Sequence, residues 1–235
     1  MARPSEIETS ERILDAALTL FRKKGFDGAT MRDVARAAGL SLGAAYYYYE
    51  TKEALVLAYY QRVQDQHERL VAEALEDLPR LEDRLERVFS LKLDLITPDR
   101  RFLGALFRFL GDPEHPASVL GPKTRQVRRQ SIRTFARAVE PLRLDPRLHE
   151  AVATVLLTAH LGLILHALYD PSKGLQRTRA LLRSLVRPAA AALRLLRLPG
   201  AGALLDPTLG ALRRAGLLSP EGDVTDELGA RHAHP

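Results

Sequence analysis

Apolar residues recur along this chain at intervals of three and four, and no segment alternates apolar and polar positions long enough to predict a strand. The first stripe, Ile13, Leu14, Ala17, Leu18 and Phe21, marks one face of a helix that begins near Ser5 or Ser10; Ser5-Glu6-Ile7-Glu8 has capping-box spacing. Lys23 and Lys24 put cations in its last turn, and Gly25 is expected as its left-handed cap. Thr30 with Asp33 opens a short second helix that turns Val34 and Ala35 inward. Gly39 breaks it at a turn that wants positive φ, and Ser41 caps a third helix of one or two turns before Thr51 caps the next. Two short helices joined by a glycine turn make a helix-turn-helix, and the small Ala37 and Ala38 let them approach closely.

The rest of the chain continues in helical period. A long helix is expected from 52 to about 78, with Leu55, Tyr59, Val63 and Leu70 inward, and another from Pro79 to about 96. A short apolar helix over 101–110 is closed by Gly111-Asp112-Pro113, and 117–139 reads as helix with a break at Gly121-Pro122. Pro146 opens an apolar helix to Tyr169. Its core, 151–169, sits at the short end of the roughly 17–25 residues that span a bilayer. Two threonines and two histidines within it favour a buried helix instead. Pro188 predicts a kink or a new helix within 173–197. After Leu198 the composition turns to Pro, Gly and Ala, with one short helix expected at 206–215 and a frayed end.

Composition narrows the chemistry. The absence of cysteine excludes disulfides, thiol catalysis and thiolate metal sites. The first residues carry acids before any apolar run, unlike a secretory signal, so a cytoplasmic protein without a membrane partner is expected. Net charge is +6, with a pI near 9.8. Yet residues 1–53 hold eight basic and eight acidic side chains, and the surplus lies in Lys123 to Arg147 and Arg177 to Arg197. Basicity alone therefore does not point the first domain at nucleic acid; geometry must.

Four of the seven tyrosines stand in a row, Tyr46 to Tyr49. Successive helical residues are rotated by about 100°, so the four point in different directions and cannot form one aromatic cage. The sequence around them resembles the tetracycline-repressor (TetR) family of bacterial transcriptional regulators. The resemblance rests on the Ile13-Leu14-x-x-Ala17-x-x-x-Phe21 stripe, Lys24-Gly25-Phe26, Thr30 to Ala35, and Ala38-Gly39-Leu40-Ser41. Gly43 with the tyrosine run and Thr51-Lys52-Glu53-x-Leu55 complete it. It covers residues 10–55, and the remainder fits only in being helical and of suitable length.

The resemblance implies an all-α protein: an N-terminal three-helix helix-turn-helix domain on a larger helical ligand-binding and dimerisation domain. The division is 1–50 for DNA binding, 51–198 for ligand binding and dimerisation, and 199–235 as a partly disordered extension. It further implies a homodimeric repressor of a palindromic double-stranded operator, released by a small-molecule effector. By the same likeness Tyr46, Tyr47 and Tyr48 touch DNA, Tyr49 packs on the first helix, and Lys52 meets a phosphate. Ser41 as cap puts Leu42, Gly43 and Ala44 in the turn that reaches base edges. Thr30 offers amides at a helix start, and Arg32 or an N-terminal arm with Arg3 adds charge. The segment 41–49 has no Arg, Lys, Asn or Gln, so the strongest base readers are missing, and phosphate positioning and DNA shape carry more weight.

For an effector pocket the candidates are Phe89, Phe102, Phe107, Phe135 and His160, with core packing as the alternative for each. For a twofold interface they are Val152, Val155, Leu156, Ala159 and Leu163 on one helix, and Leu181 and Leu185 on the next. His160 and His166 lie six apart on different faces and do not chelate. Gly121-Pro122-Lys123-Thr124 lacks the spacing of a phosphate loop. No catalytic constellation, metal site or cofactor is expected, and the chain reads as a non-enzyme. Two alternatives stay open: an enzyme or lipid-binding carrier that keeps this fold, and a regulator controlled by a protein partner.

Overall fold

The computed structural model describes residues 6–107, 109, 112 and 114–201, and beyond these 207, 210, 211 and 214. The expectations at Arg3, Ser5, Gly111 and Pro113, and most of 199–235, lie outside the described residues. Among the described residues every regular element is helical. These are α1 (Glu6–Gly28), α2 (Met31–Ala37), α3 (Leu42–Tyr48), α4 (Lys52–Leu75), α5 (Leu81–Ile96), α6 (Arg100–Phe107), α7 (Arg125–Val139), α8 (Pro146–Tyr169) and α9 (Gln176–Leu195). Single 3-10 turns at Thr97–Asp99, Pro122–Thr124, Glu140–Leu142 and Lys173–Leu175 join several of them. By their contacts the residues divide into two compact units: 1–69 with 92–130 and 166–175, and 70–91 with 131–165 and 176–235.

In the first unit the α1 stripe is buried as its spacing requires, with Ile13, Leu14, Ala17, Leu18 and Phe21 all in the core. Gly25 does not close the helix as a left-handed cap. Its φ of 76° and ψ of 167° turn the chain sharply, and helical geometry resumes to Gly28. That turn brings Phe26 beside Phe21, with ring centroids 5.4 Å apart, and Phe102 of α6 stacks on Phe21 at 5.0 Å. Asp99, only 4% exposed, accepts from Arg22 Nε of α1 at 2.5 Å and from the Tyr59 hydroxyl of α4 at 3.1 Å. Arg62 of α4 reaches back to Glu11 and Asp15 on α1. Three elements outside the short helices thereby hold α1 in place.

In the second unit Phe89, Phe135 and His160 form an aromatic triangle with centroids 5.1–5.3 Å apart. Arg84 is buried among helix ends and donates to the carbonyls of Leu75, Leu78, Arg137 and Ala138 at 2.7–3.1 Å, closing the ends of α4 and α7. α9 runs without a break through Pro188, although two helices or a kink were expected. Proline removes the bond to Ser184, and that carbonyl stands in an exposed stretch where water can serve it. α8 is long and apolar enough to cross a membrane. Its Leu148, Val152, Leu156, His160, Leu163 and Ala167 are nonetheless buried in the chain itself.

Candidate nucleic-acid interface

The local rules read from residues 30–51 are realised atom by atom. Thr30 Oγ1 accepts from the Asp33 amide at 3.1 Å, and Asp33 accepts from the Thr30 amide at 3.2 Å, a reciprocal capping box that starts α2. These bonds, with Lys24 3.6 Å away, hold the Asp33 carboxyl below its usual range. Gly39 takes φ 68° in the turn, a conformation that costs most residues strain. Ser41 Oγ then accepts from the Ala44 amide at 3.1 Å and starts α3. Ala45 alone of α3 is fully buried, seating that helix on α2. The face opposite is free.

On that face Gly43, Tyr46 and Tyr47 are exposed, and Leu42, Ala44 and Tyr48 are half-buried beside them. Tyr47 is 75% exposed and meets Tyr48 edge-on at 5.2 Å. A side chain added at Gly43 would meet nothing within 4 Å, so the protein's own packing does not ask for glycine there. Tyr49 turns the other way: its hydroxyl donates to the Ser10 carbonyl at 3.3 Å, and burial raises its pKa. The run of four tyrosines thus divides between an outward pair, an intermediate residue and a strut against α1.

Arg32 is exposed on α2. Two other candidates are committed inside the fold. The Thr30 amide is taken by Asp33, and Lys52 donates to the Phe26 carbonyl at 2.9 Å while lying 4.5 Å over the Phe26 ring. The partners of Lys52 lie 26 positions away, beyond the reach of local sequence rules. Thr51 repeats the capping pattern, its Oγ1 accepting from the Ala54 amide at 3.1 Å.

This stretch matches a known family. Residues 13–59 fit the bacterial regulatory proteins of the tetR family. That segment, about a fifth of the chain, is similar to the tetR family. Two curated relatives each match a short part of the chain. The uncharacterised HTH-type transcriptional regulator YerO of Bacillus subtilis is 43% identical over 51 residues, 22% of this chain and 18% of that protein. IcaR of Staphylococcus epidermidis, a negative transcriptional regulator of the biofilm operon icaADBC, is 40% identical over 43 residues, 18% of this chain and 23% of that protein. The matches therefore span about a fifth of those relatives' own length. Solved structures extend the likeness. A tetR-family transcriptional regulator from Streptomyces coelicolor aligns with 98% of this chain and all of its own, at TM-score 0.61 and 25% identity. FadR of Thermus thermophilus, a TetR-family repressor solved with lauroyl-CoA, aligns with 76% of this chain and 93% of its own, at TM-score 0.59 and 24% identity.

The remaining candidates sort by burial. Phe89, Phe135 and His160 stand together in the aromatic triangle of the second unit. Phe102 is apart from them, in the first unit against Phe21 and Tyr59, and Phe107 is half-buried. Val152, Leu156 and Leu163 face the interior of their own chain. Val155, Ala159, Leu181 and Leu185 are exposed, Val155 at 60%. The sequence marked apolar helices, but an apolar helix does not reveal which of its apolar faces is already covered. Buried polar residues such as Gln64, His67, Arg84, Lys92 and Asp99 left no mark in the sequence, because inward polar positions carry no periodic signal.

Proposed function

We propose that this chain is a repressor that binds a palindromic operator as a homodimer and is released by a small molecule. The observation that carries the reading is the outward face of α3: a capped, seated helix that exposes Gly43, Tyr46 and Tyr47. Such a helix enters a major groove by its N-terminal turn, and glycine there lets backbone approach DNA closely. Tyr46, Tyr47 and Tyr48 supply hydroxyl donors to phosphates, Leu42 and Ala44 supply apolar contact to thymine methyls, and Arg32 adds charge at the flank. Ser41 and Thr30 position these groups through their caps. Lys52 acts from its post over Phe26, where an ammonium with three donors keeps protons for a phosphate.

Residues 1–50 form the reading head in this account, 51–198 the effector and dimer region, and 199–235 an extension. Twofold symmetry through α8 and α9 places two recognition helices one groove turn, about 34–36 Å, apart. The protein acts in the cytoplasm by binding rather than by catalysis. Titrating it against the duplex upstream of its own gene, at several salt concentrations, tests the reading. A specific, salt-dependent complex is expected. Equal affinity for that duplex and for unrelated DNA refutes it.

A further inference from the structure

Lys92, on α5, is only 8% exposed, and among the described residues the one hydrogen bond of its ammonium goes to Gln64 of α4, Nζ to Oε1 at 2.8 Å. Gln64 and His67, one turn apart on the same helix, are also buried, so this interior is polar. The carboxylate that acts on Lys92 through space is Asp65. Its Oδ1 is occupied, accepting from Gln61 at 2.7 Å and from Gln130 of α7 at 2.8 Å. Asp65, His67 and Glu68 are titratable groups that α4 brings to this region, and α7 brings the uncharged Gln130, which donates to Glu68 Oε2 at 2.7 Å as well as to Asp65. A buried cation facing a single neutral acceptor is costly, and a fold gains most from such a group when an anion joins it.

We propose that Lys92 anchors the carboxylate of a small organic acid, which is the effector of this regulator, with Gln64 orienting the ammonium. The inference rests on the effector-released reading above and names the chemistry of that effector. One buried positive charge is balanced by one negative charge. A phosphate dianion leaves a surplus in a low-dielectric site, so the class is a monocarboxylate. Burial already pushes the ammonium down to about 7, so an arriving carboxylate draws a proton onto Lys92 at neutral and higher pH.

The experiment follows the Lys92 ¹³Cε resonance of the full chain through a pH titration, alone and with octanoate, benzoate, octanamide, benzamide or inorganic phosphate. Calorimetry at pH 7 and pH 9 accompanies it. At least one of the two acids is expected to move the Lys92 midpoint upward and to lose about 50-fold in affinity between pH 7 and 9, as the protonated fraction falls. Lys92→Met is expected to abolish that binding. A midpoint unmoved by either acid, or amides or phosphate binding as tightly as the acids, overturns the assignment. Should the Met variant fail to fold, the wild-type midpoint decides alone. Duplex binding measured on the same sample separates the two ideas. Acids that fail while the operator complex forms remove only the carboxylate; a missing operator complex removes the regulator reading.

Discussion

Gly43 sits in the first turn of α3, where glycine costs the helix stability and where an added methyl would touch nothing in the protein. A residue that the fold does not need, at the point nearest the proposed DNA, gives a test with opposite signs. Gly43→Ala is expected to raise stability by up to about 1 kcal/mol, since alanine orders a helix at lower entropic cost. The same change is expected to weaken operator binding, because the methyl occupies space meant for the groove. Chemical denaturation and fluorescence anisotropy with the operator measure the two effects. If both rise together, Gly43 does not approach DNA. Ser41→Ala is the complement. It removes the acceptor of the Ala44 amide and is expected to cost about 1 kcal/mol, with operator affinity falling in step. The caps at Thr30, Ser41 and Thr51 and the Gly39 turn were legible in the sequence because each is settled within four residues. Lys52 was not, since its partner is fixed only after α1 has turned at Gly25 to bring Phe26 near.

At the scale of elements, polar groups buried between helices decide what periodicity cannot. Val63 and Leu70 were expected inward on α4, yet they are half-buried while Gln64, His67 and Val71 are fully buried. An apolar stripe gives one direction, and α4 has neighbours in several. Lys92 shows the consequence. Its ammonium titrates near 7 in the folded chain against an ordinary 10.5, so between these values the unfolded chain binds more protons. Stability therefore rises as pH climbs from 7 towards 10.5, by up to about 1.4 kcal/mol per unit of the difference, and below 7 the burial cost is present in full. Urea denaturation at pH 7 and pH 9 is expected to show the gain, and Lys92→Met to flatten it. A wild-type slope of zero removes the buried-cation account. Asp99 plays a different part, holding α1 and α4 together at the 3-10 turn before α6. Asp99→Ala leaves the Tyr59 hydroxyl buried without its acceptor, at an expected cost of about 1–3 kcal/mol by the same assay.

At the scale of the whole molecule, two helices of the second unit each show one buried face and one bare one. On α8, Val155 and Ala159 are exposed four residues apart, and on α9 Leu181, Leu185 and Leu195 are exposed along one face. Apolar stripes of this kind, on neighbours in sequence, are what a symmetric self-interface requires. Because Val155 and Leu185 touch little of their own chain, charging them tests association without disturbing the core. The double variant Val155→Glu, Leu185→Glu is expected to keep its thermal unfolding and to sediment as a monomer at micromolar concentration, where the wild type is expected to sediment as a dimer. Each reading head then meets its half-site alone. Losing the linkage between half-sites is expected to weaken operator binding by about 100-fold or more, while binding to an isolated half-site stays unchanged. That pair of results distinguishes a broken interface from a damaged α3. If the double variant remains a dimer, the bare faces of α8 and α9 are not where two copies meet, and the spacing of recognition helices has to be set elsewhere.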